Sequence, residues 1–383
     1  MSLSPDQPAS APVAPSARLG AIDALRGLAL LGVLTINLET EFRVSIFAQF
    51  LEYAQGRPGV IDRLLAIFID LKAFALFSLL FGVGLAIQFD RLAKNPRRTQ
   101  LLLRRLLVLL GFGLIHLVLI WNGDILTEYA LAGLVVLPFL FAPTSVIAGA
   151  SLVFLALYVM QPVLPTVFPF PTLGWLAADV AEANRIYATG GFVDILSFRI
   201  REIAGFVPLH SYIFPRTLGL FLLGALSWRA GLFEAVPRSP RWFWLAAAIA
   251  IAIGLALTLS PIARAYCGSA GTIALAIGYA LLLLSAETTT AGRRLLGWAE
   301  PVGRMAFTNY ILQSVILSFI FYGFGFGLFG KLDSATGLAI VLTIYIAQVF
   351  ANRWWLDRFR FGPIEWLWRA LMYGRAPPFL MTR

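Results

Sequence analysis

The chain has 383 residues, of which 59% are hydrophobic and only 13% are charged, and its mean hydropathy is +0.82. Soluble domains contain about one-quarter charged residues, so this composition excludes an ordinary soluble enzyme and predicts an integral membrane protein. The formal net charge is +10, but no soluble domain is present to form a basic groove. We therefore expect a lipid bilayer and no nucleic acid as partner. A single cysteine, Cys267, excludes an internal disulfide and a thiolate metal cluster.

Apolar residues come in runs of about 17 to 25, the length that an α-helix needs to cross a hydrocarbon layer of ~30 Å. The alternating pattern of β-barrel strands does not compete with these runs. The sequence therefore predicts an all-α, polytopic membrane protein, a bundle of about ten transmembrane helices. The predicted spans are roughly 21–38, 63–90, 101–121, 124–142, 144–166, 211–230, 242–260, 270–287, 304–322 and 335–352.

This pattern divides the chain into four parts. Residues 1–17 are rich in Ala, Ser and Pro and predict a disordered tail, and residues 18–166 form an N-terminal membrane bundle of helices 1–5. Residues 167–210 form an extracytoplasmic loop, and residues 211–383 form a C-terminal bundle of helices 6–10 with a cytoplasmic tail. The loop contains the amphipathic stretch FVDILSFRIREIAGFVPLH. This stretch predicts either a helix that lies on the outer surface or caps an outward cavity, or a plain loop helix packed on the bundle.

The basic residues predict the orientation of the bundle. If the N-terminus is cytoplasmic, the inner connections and the C-terminal tail carry more Lys and Arg than the outer connections, which agrees with the positive-inside rule. The inner residues are Arg91, Lys94, Arg97, Arg98, Arg104, Arg105, Arg229, Arg238, Arg241, Arg293, Arg294, Arg304, Arg353, Arg358, Arg360, Arg369, Arg375 and Arg383. We therefore expect both termini in the cytoplasm.

The stretch GLIHLVLIWNGDILTEYALAG, residues 113–133, places three ionisable residues near the outer ends of two predicted helices. His116 is one of two histidines in the chain, and a neutral histidine is an effective general base near pH 7 when a carboxylate orients it. Asp124 and Glu128 are the candidates for that carboxylate. The alternative is structural: His116 joins helices, Asp124 caps the fourth helix and Glu128 interacts with the helix dipole.

Lys72 lies deep in the second predicted span, where an ammonium group must snorkel or pair. A salt bridge to Glu128 or Asp124 explains it as well as substrate binding does. Arg216, about a turn inside the sixth span, is a candidate for binding a substrate in the same outer cavity. For His210, just before that span, a position on the outer surface is the favoured interpretation.

A second group of polar residues lies near the predicted inner surface. Asp23 and Arg26 are three residues apart and are spaced to form an intrahelical pair. Arg304, Asn309 and Gln313 follow one another into the ninth span. They either bind the phosphates of a nucleotide-bearing donor, or they contact lipid headgroups and join neighbouring helices. No carboxylate-rich cluster and no standard signature predicts a metal site.

Several motifs occur in order between residues 18 and 379. They are RLGAIDALRGLALLGVLTINL, LFSLLFGVGLAIQ, LIHLVLIWNGDILTEYALAG, FPRTLGLFLLGALSWRAGLF, GRMAFTNYILQS and FGPIEWLWRALMYG. Together they resemble the bacterial inner-membrane proteins typified by YeiB, whose C-terminal half is described as domain of unknown function 418. The resemblance implies a multi-pass protein of the bacterial inner membrane.

The YeiB-like proteins are remotely similar to membrane acyltransferases such as heparan-alpha-glucosaminide N-acetyltransferase. This likeness implies a cytosolic acyl-CoA as co-substrate, no permanently bound cofactor, and a glycan or other envelope molecule as acceptor on the far side of the membrane. It also implies that His116 is the catalytic histidine and that Asn309 and Tyr310 match a polar stretch of those enzymes. The chain lacks the additional histidine that some relatives have near that stretch.

An acyltransferase of this kind would use His116 as general base, oriented by Asp124 or Glu128. The candidates for acceptor binding are Lys72 and Arg216, and those for donor binding are Arg26, Arg304, Asn309 and Gln313. The alternative is a transporter or lipid-handling protein with a relay of Lys, His and carboxylates within the membrane. A third interpretation, an assembly protein, predicts that His116 and Lys72 are buried with no cavity beside them.

Overall fold

A computed structural model describes residues 20–54, 59–164 and 169–381. The disordered tail predicted for residues 1–17 lies outside the described residues. Throughout the described part, the regular secondary structure is helical, and one isolated antiparallel bridge joins Phe359 to Leu380. The fold is therefore all-α, as the sequence predicts.

The α-helices alternate with short turns, and some continue into π or 3-10 turns. The helices are α1 Gly20–Asn37, α2 Ala48–Ala54, α3 Val60–Phe68, α4 Lys72–Arg91, α5 Arg98–Ile115, α6 Ile125–Val136, α7 Thr144–Met160, α8 Leu173–Thr189, α9 Phe192–Arg229, α10 Leu232–Arg238, α11 Pro240–Leu259, α12 Pro261–Glu287, α13 Thr290–Leu296, α14 Glu300–Arg304, α15 Ala306–Phe321, α16 Ser334–Leu356 and α17 Pro363–Tyr373. The π turns Leu38–Phe42 and His116–Ile120 continue α1 and α5, and 3-10 turns at Leu137–Phe141 and Gln161–Val163 follow α6 and α7.

Seven helical segments in the described part are long and apolar enough to cross a membrane. They are Gly20–Phe42, Val60–Arg91, Arg98–Ile120, Phe192–Arg229, Pro240–Leu259, Pro261–Glu287 and Ser334–Leu356. Three shorter apolar helical segments, Ile125–Phe141, Thr144–Met160 and Ala306–Phe321, coincide with the remaining predicted spans. The chain is a polytopic α-helical membrane protein. The count of about ten spans and the cytoplasmic location of the termini stay predictions.

The span predicted over residues 63–90 is a broken helix. α3 ends at Phe68, and α4 begins at Lys72 after a left-handed residue, Leu71, whose φ is 57°. A non-glycine residue in this region costs about 1–2 kcal/mol, so the surrounding packing must hold it there. The break lets Asp70 and Leu71 border a cavity of about 810 Å³.

The boundary predicted at residue 210, between the outer loop and the sixth span, falls inside one helix. α9 runs without interruption from Phe192 to Arg229 and contains Pro208 and Pro215. Proline is tolerated in membrane helices because neighbouring groups satisfy the freed backbone carbonyls. The amphipathic stretch is therefore the N-terminal half of α9, and its last residues cover the same cavity.

Two charged residues in this half of α9 are buried and attach it to its neighbours. Glu202 accepts hydrogen bonds of 2.6 Å from the hydroxyl of Tyr187 in α8 and of 2.6 Å from the side-chain amide of Asn122. Arg199 donates to the backbone carbonyl of Ile120. These bonds hold α9 over the turn that follows α5, where His116 lies.

Small residues allow α4 and α9 to pack backbone against backbone. A Cβ atom at Gly82 would lie 2.1 Å from the carbonyl oxygen of Phe221, and one at Gly224 would lie 2.1 Å from that of Leu79. Close contacts of this kind are typical of membrane bundles, where small residues replace the hydrophobic driving force between helices. As a result, the break before α4 and the middle of α9 border one cavity.

Candidate functional site

A cavity of about 810 Å³, here called the wide cavity, lies among α1, α4, α6, α7 and α9. Its wall is mostly apolar. The ionisable side chains in the wall are Glu41, Asp70, Asp124, Glu128, His210 and Arg216. Three residues that the sequence assigns to the site, Asp124, Glu128 and Arg216, are therefore brought together.

The carboxylate pairing predicted for His116 is present. Its Nδ1 lies 2.8 Å from Oδ1 of Asp124, and both side chains are buried. Asp124 also caps α6, because its oxygens accept the backbone N–H groups of Leu126 at 3.1 Å and Thr127 at 2.7 Å. The Nδ1–Oδ1 contact is short, but its geometry is not that of a hydrogen bond. Nε2 of His116 also has no hydrogen-bond partner among the described residues. Asp124 therefore caps α6 and also contacts His116.

A glycine and a π turn bring His116 to Asp124. A Cβ atom on Gly113 would lie 2.6 Å from the backbone nitrogen of Thr127, so the missing side chain lets α5 touch the first turn of α6. The π turn His116–Ile120 begins directly after α5. Such turns occur frequently at functional sites, where they redirect side chains. The start of α6 therefore occupies the space that a side chain at position 113 would need.

Glu128 pairs with the second histidine instead of with His116. Its Oε2 lies 3.0 Å from Nδ1 of His210, and its Oε1 accepts a hydrogen bond of 2.5 Å from the hydroxyl of Thr217. His210 is part of the cavity wall, and its side chain is 36% exposed. In the part of the chain that the structure describes, no group of three or more His, Cys, Asp or Glu side chains could hold a metal ion.

Arg216 is buried in the wall of the wide cavity and is 2% exposed. Its Nε and Nη1 atoms find no hydrogen-bond partner within residues 20–54, 59–164 and 169–381. Its Cζ lies 5.8 Å from the ring centroid of Tyr158. Buried polar groups in folded proteins are nearly always paired, so this guanidinium is a candidate for contact with a ligand.

Two adjoining volumes of about 200 and 180 Å³ lie toward the opposite end of α1, and together they are called the arginine cavity here. The arginines in its walls are Arg26, Arg91, Arg105, Arg304, Arg360 and Arg369. Arg26 also forms the predicted pair with Asp23, at 3.1 Å. Guanidinium groups bind phosphate oxygens in bidentate geometry, so this cluster is suited to a polyanionic ligand.

The C-terminal helix α17 closes the arginine cavity. Glu365 accepts the backbone N–H groups of Phe307 at 2.8 Å and Thr308 at 3.0 Å and the hydroxyl of Thr308 at 2.5 Å. It therefore caps α15 from a different helix. Burial raises the pKa of the Glu365 carboxyl, while the hydrogen bonds from Thr308 lower it. Arg105 stacks on Trp368 of the same helix, with its Cζ 4.3 Å from the ring centroid.

The two cavities meet at the start of α6, where Ile125 lines both of them. Tyr310 lines the arginine cavity, and its hydroxyl accepts the backbone N–H of Ile125 at 3.3 Å. The ring centroids of Tyr310 and His116 are 5.1 Å apart. His116 is only 1% exposed, yet it lies against Asp124 in one wall and Tyr310 in the other. The candidate catalytic residue is therefore between the cavities and not on the surface of either.

Lys72 does not form the salt bridge that the sequence predicts. Its Nζ donates to the backbone carbonyl of Ala66 at 2.5 Å, and within the described residues it has no ion pair with Glu128 or Asp124. The break before α4 explains this contact, because it leaves carbonyls at the end of α3 without a partner in the helix. Lys72 is buried and is not among the residues that line the cavities of the described part.

Asn309 and Gln313 also lie away from the walls of the two cavities as the described residues form them. The side-chain amide of Asn309 donates to the carbonyl of Val302 at 3.1 Å, and that of Gln313 donates to the side-chain oxygen of Gln348 at 2.8 Å. These bonds join α15 to α14 and α16. The helix-contact interpretation therefore fits these two residues better than donor binding.

The sequence analysis did not assign His210, Glu365 or Arg369 to the candidate site. The last two lie one turn apart behind Pro363, a residue that favours the first turn of a helix, so a signal for α17 was present. His210 is 82 residues from Glu128, and no local pattern indicates that pairing.

Comparison with known proteins identifies the family. The family described as protein of unknown function (DUF418) matches residues 227–375. The Bacillus subtilis protein named uncharacterized protein YxaH is 33% identical over 390 residues, which cover 94% of this chain and 96% of that protein. The chain belongs to the YeiB-like DUF418 family. The Escherichia coli protein named uncharacterized protein YeiB is 30% identical over 383 residues, which cover 93% of this chain and 97% of that protein. No solved structure matches the chain.

The family resemblance inferred from the sequence motifs is confirmed. The DUF418 match contains Arg304, Arg360 and Arg369 of the arginine cavity. The alignments with YxaH and YeiB extend over nearly the whole chain. The remote likeness to acyltransferases stays a prediction.

Proposed function

We propose that this protein is an acyltransferase of the bacterial cytoplasmic membrane. It would move an acyl group from a cytosolic acyl-CoA to a glycan or other envelope molecule outside the cytoplasm. The observation that supports this most directly is the shared wall at Ile125, where the arginine cavity and the wide cavity meet beside the His116–Asp124 pair. An enzyme that joins a donor from one side to an acceptor from the other needs two such chambers.

The arginine cavity fits the donor. Coenzyme A carries its phosphates at one end and its thioester at the other, so its anionic end would bind the guanidinium groups around Arg304. The volume of about 200 Å³ has Phe77, Phe81 and Leu109 in a mostly apolar wall and would take the pantetheine arm toward Ile125. The arginines are on the side that the distribution of basic residues assigns to the cytoplasm.

In the proposed reaction, Nε2 of His116 takes the proton from an acceptor hydroxyl or amine. The acceptor oxygen or nitrogen forms a bond to the thioester carbon, the carbon–sulfur bond breaks, and coenzyme A leaves as a thiolate that receives the proton. Asp124 holds the ring and stabilises the imidazolium. Because His116 is 1% exposed, Ile125 or Tyr310 must move aside when donor and acceptor are bound.

The test uses membrane vesicles that contain the full chain, with radiolabelled acetyl-CoA supplied on the cytoplasmic side. We expect the label to appear in the glycan or lipid fraction with the wild-type protein and not with His116→Ala, while both proteins melt as folded species in detergent. Retention of labelling by His116→Ala would overturn the role of His116. Absence of labelling with the wild-type protein, together with no stabilisation by acetyl-CoA, would overturn the acyltransferase proposal.

Donor binding is measured separately, as the rise in melting temperature on adding acetyl-CoA. A ligand that binds only the folded protein stabilises it by about 2.7 kcal/mol at 100 times its dissociation constant. Arg304→Gln removes a guanidinium of the arginine cavity and should reduce this rise. Arg294→Gln is the matched control, because Arg294 is an exposed arginine of the neighbouring helix α13 and should leave the rise unchanged.

A further inference from the structure

In the described part of the chain, Nε and Nη1 of Arg216 have no hydrogen-bond partner, and no carboxylate lies within 4.0 Å of its guanidinium. Asp124 and Glu128 are engaged by His116 and His210. Asp70 faces the same cavity, but within the described residues it forms no ion pair with Arg216 inside 4.0 Å. Burying a charge without an ion-pair partner is unfavourable. Arg216 borders the open space of the wide cavity. A buried arginine in this position is expected where an anionic ligand completes the site.

A second opening adjoins the wide cavity. It has a volume of about 490 Å³, is here called the lateral cavity, and shares Asp124, Glu128 and His210 with the wide cavity. The rest of its wall, between α6 and α9, is largely apolar. Leu131 and Val207 in that wall are 43% and 42% exposed. In a membrane protein, exposed apolar residues between two helices face lipid, so the lateral cavity connects the site around His210 to the bilayer.

We propose that the wide cavity binds an amphiphile that enters from the membrane. Its anionic head group, a phosphate or a similar oxyanion, pairs with Arg216, and its hydrocarbon chain lies in the lateral cavity against Leu131 and Val207. The guanidinium suits a phosphate because it can donate two parallel hydrogen bonds. That this amphiphile is the acyl acceptor rests on the function proposed above, whereas its binding does not.

The test uses the purified full chain, freed of lipid in detergent and without acetyl-CoA. Phosphatidylglycerol, diacylglycerol with the same chains, and glycerol 3-phosphate are added separately, and melting temperature and bound lipid are measured, the latter by native mass spectrometry. We expect only phosphatidylglycerol to bind and to raise the melting temperature. Equal stabilisation by glycerol 3-phosphate would show a site for soluble phosphate compounds, and equal stabilisation by diacylglycerol would show an unspecific lipid effect. Either result overturns the proposal.

Arg216→Gln distinguishes a binding role from a structural one. Because Nε and Nη1 of Arg216 have no hydrogen-bond partner in the described part, the substitution breaks no hydrogen bond at these atoms, and the melting temperature without lipid should change little. Affinity for phosphatidylglycerol should fall about tenfold or more, as expected for the loss of hydrogen bonds to a charged group. A lower melting temperature with unchanged lipid affinity would mean that Arg216 only stabilises the bundle, and the proposal would be wrong.

Val207→Trp tests the lateral cavity, because the indole would fill the gap between α6 and α9. We expect weaker binding of phosphatidylglycerol by this variant. Val193→Trp is the matched control, since Val193 is 71% exposed on the same helix α9 and lies outside the lateral cavity. Equal binding by both variants would overturn the lipid entrance. These assays contain no acyl donor, so their outcome is independent of whether acyl transfer occurs.

Discussion

The carboxylate of Asp124 both caps α6 and contacts His116, and two substitutions can separate these contacts. It caps α6 through Leu126 and Thr127, and it lies 2.8 Å from His116. Asn is as good an N-cap as Asp, whereas Ala costs about 1 kcal/mol at such a position. The charge beside the imidazole can therefore be removed while the cap is kept.

We predict that Asp124→Asn melts close to the wild-type temperature but loses most acyl transfer, because the imidazolium is no longer stabilised. Asp124→Ala should lose transfer and also melt lower, by the equivalent of about 1 kcal/mol. Melting curves in detergent and the vesicle labelling assay measure the two effects. Full transfer activity in Asp124→Asn would show that its charge is not needed.

Gly113 is the residue that permits the approach of His116 to Asp124. A Cβ atom there would meet the backbone nitrogen of Thr127 at 2.6 Å, and backbone cannot move aside as a flexible side chain can. We predict that Gly113→Ala destabilises the protein by about 1–3 kcal/mol, the usual cost of overpacking. Gly111→Ala, in the same helix with open space around it, should be neutral or stabilising by about 0.5–1 kcal/mol. Similar melting temperatures for the two variants would contradict the close contact of α5 with α6.

At the level of elements, α17 is attached to the bundle through one buried carboxylate. Glu365 accepts two backbone N–H groups and one hydroxyl at the start of α15. We predict that Glu365→Ala lowers the stability by about 1–3 kcal/mol, because these buried donors lose their acceptor. Glu234→Ala, at a side chain that is 76% exposed, is the control and should have little effect. An unchanged melting temperature for Glu365→Ala would mean that other contacts hold α17.

The apolar runs predicted the main helices well, since a helix surrounded by lipid must be apolar along its whole length. The departures arise where tertiary packing decides the backbone. Leu71 adopts a left-handed conformation that its residue type disfavours. The boundary predicted at residue 210 lies between Pro208 and Pro215, but α9 continues through both. α17 was missed because an 11-residue amphipathic helix is too short to resemble a span.

The candidate site was predictable only where the partners are near in sequence. His116 and Asp124 are eight residues apart, so their spacing made Asp124 one of two candidate partners of His116, together with Glu128. The pairing of Glu128 with His210 crosses 82 residues, and it depends on how α9 packs on α6. The depth of Lys72 in its span predicted that it has a partner. The partner is the backbone carbonyl of Ala66 near the end of α3, and no sequence pattern indicates the helix break that exposes this carbonyl.

For the whole molecule, the distribution of charge between the two cavities is the feature that links fold to function. The arginine cavity collects guanidinium groups at one end of the bundle, while the wide cavity collects carboxylates, His210 and Arg216 at the other. A donor rich in phosphate therefore favours the first chamber. An acceptor with a single anionic group is compatible with the second, where Asp124 and Glu128 already have partners. The bundle keeps the two apart except at Ile125.

Ile125→Trp tests whether the wall between the cavities is the place of transfer. The indole would fill the junction beside His116 and Tyr310 without removing any charged group. We predict that stabilisation by acetyl-CoA and binding of phosphatidylglycerol both persist, while acyl transfer falls about 100-fold, since small misplacements of reacting groups cost that much. Ile125→Val, which leaves the junction open, is the control and should transfer at nearly the wild-type rate. Wild-type transfer by Ile125→Trp would mean that donor and acceptor do not meet at this wall.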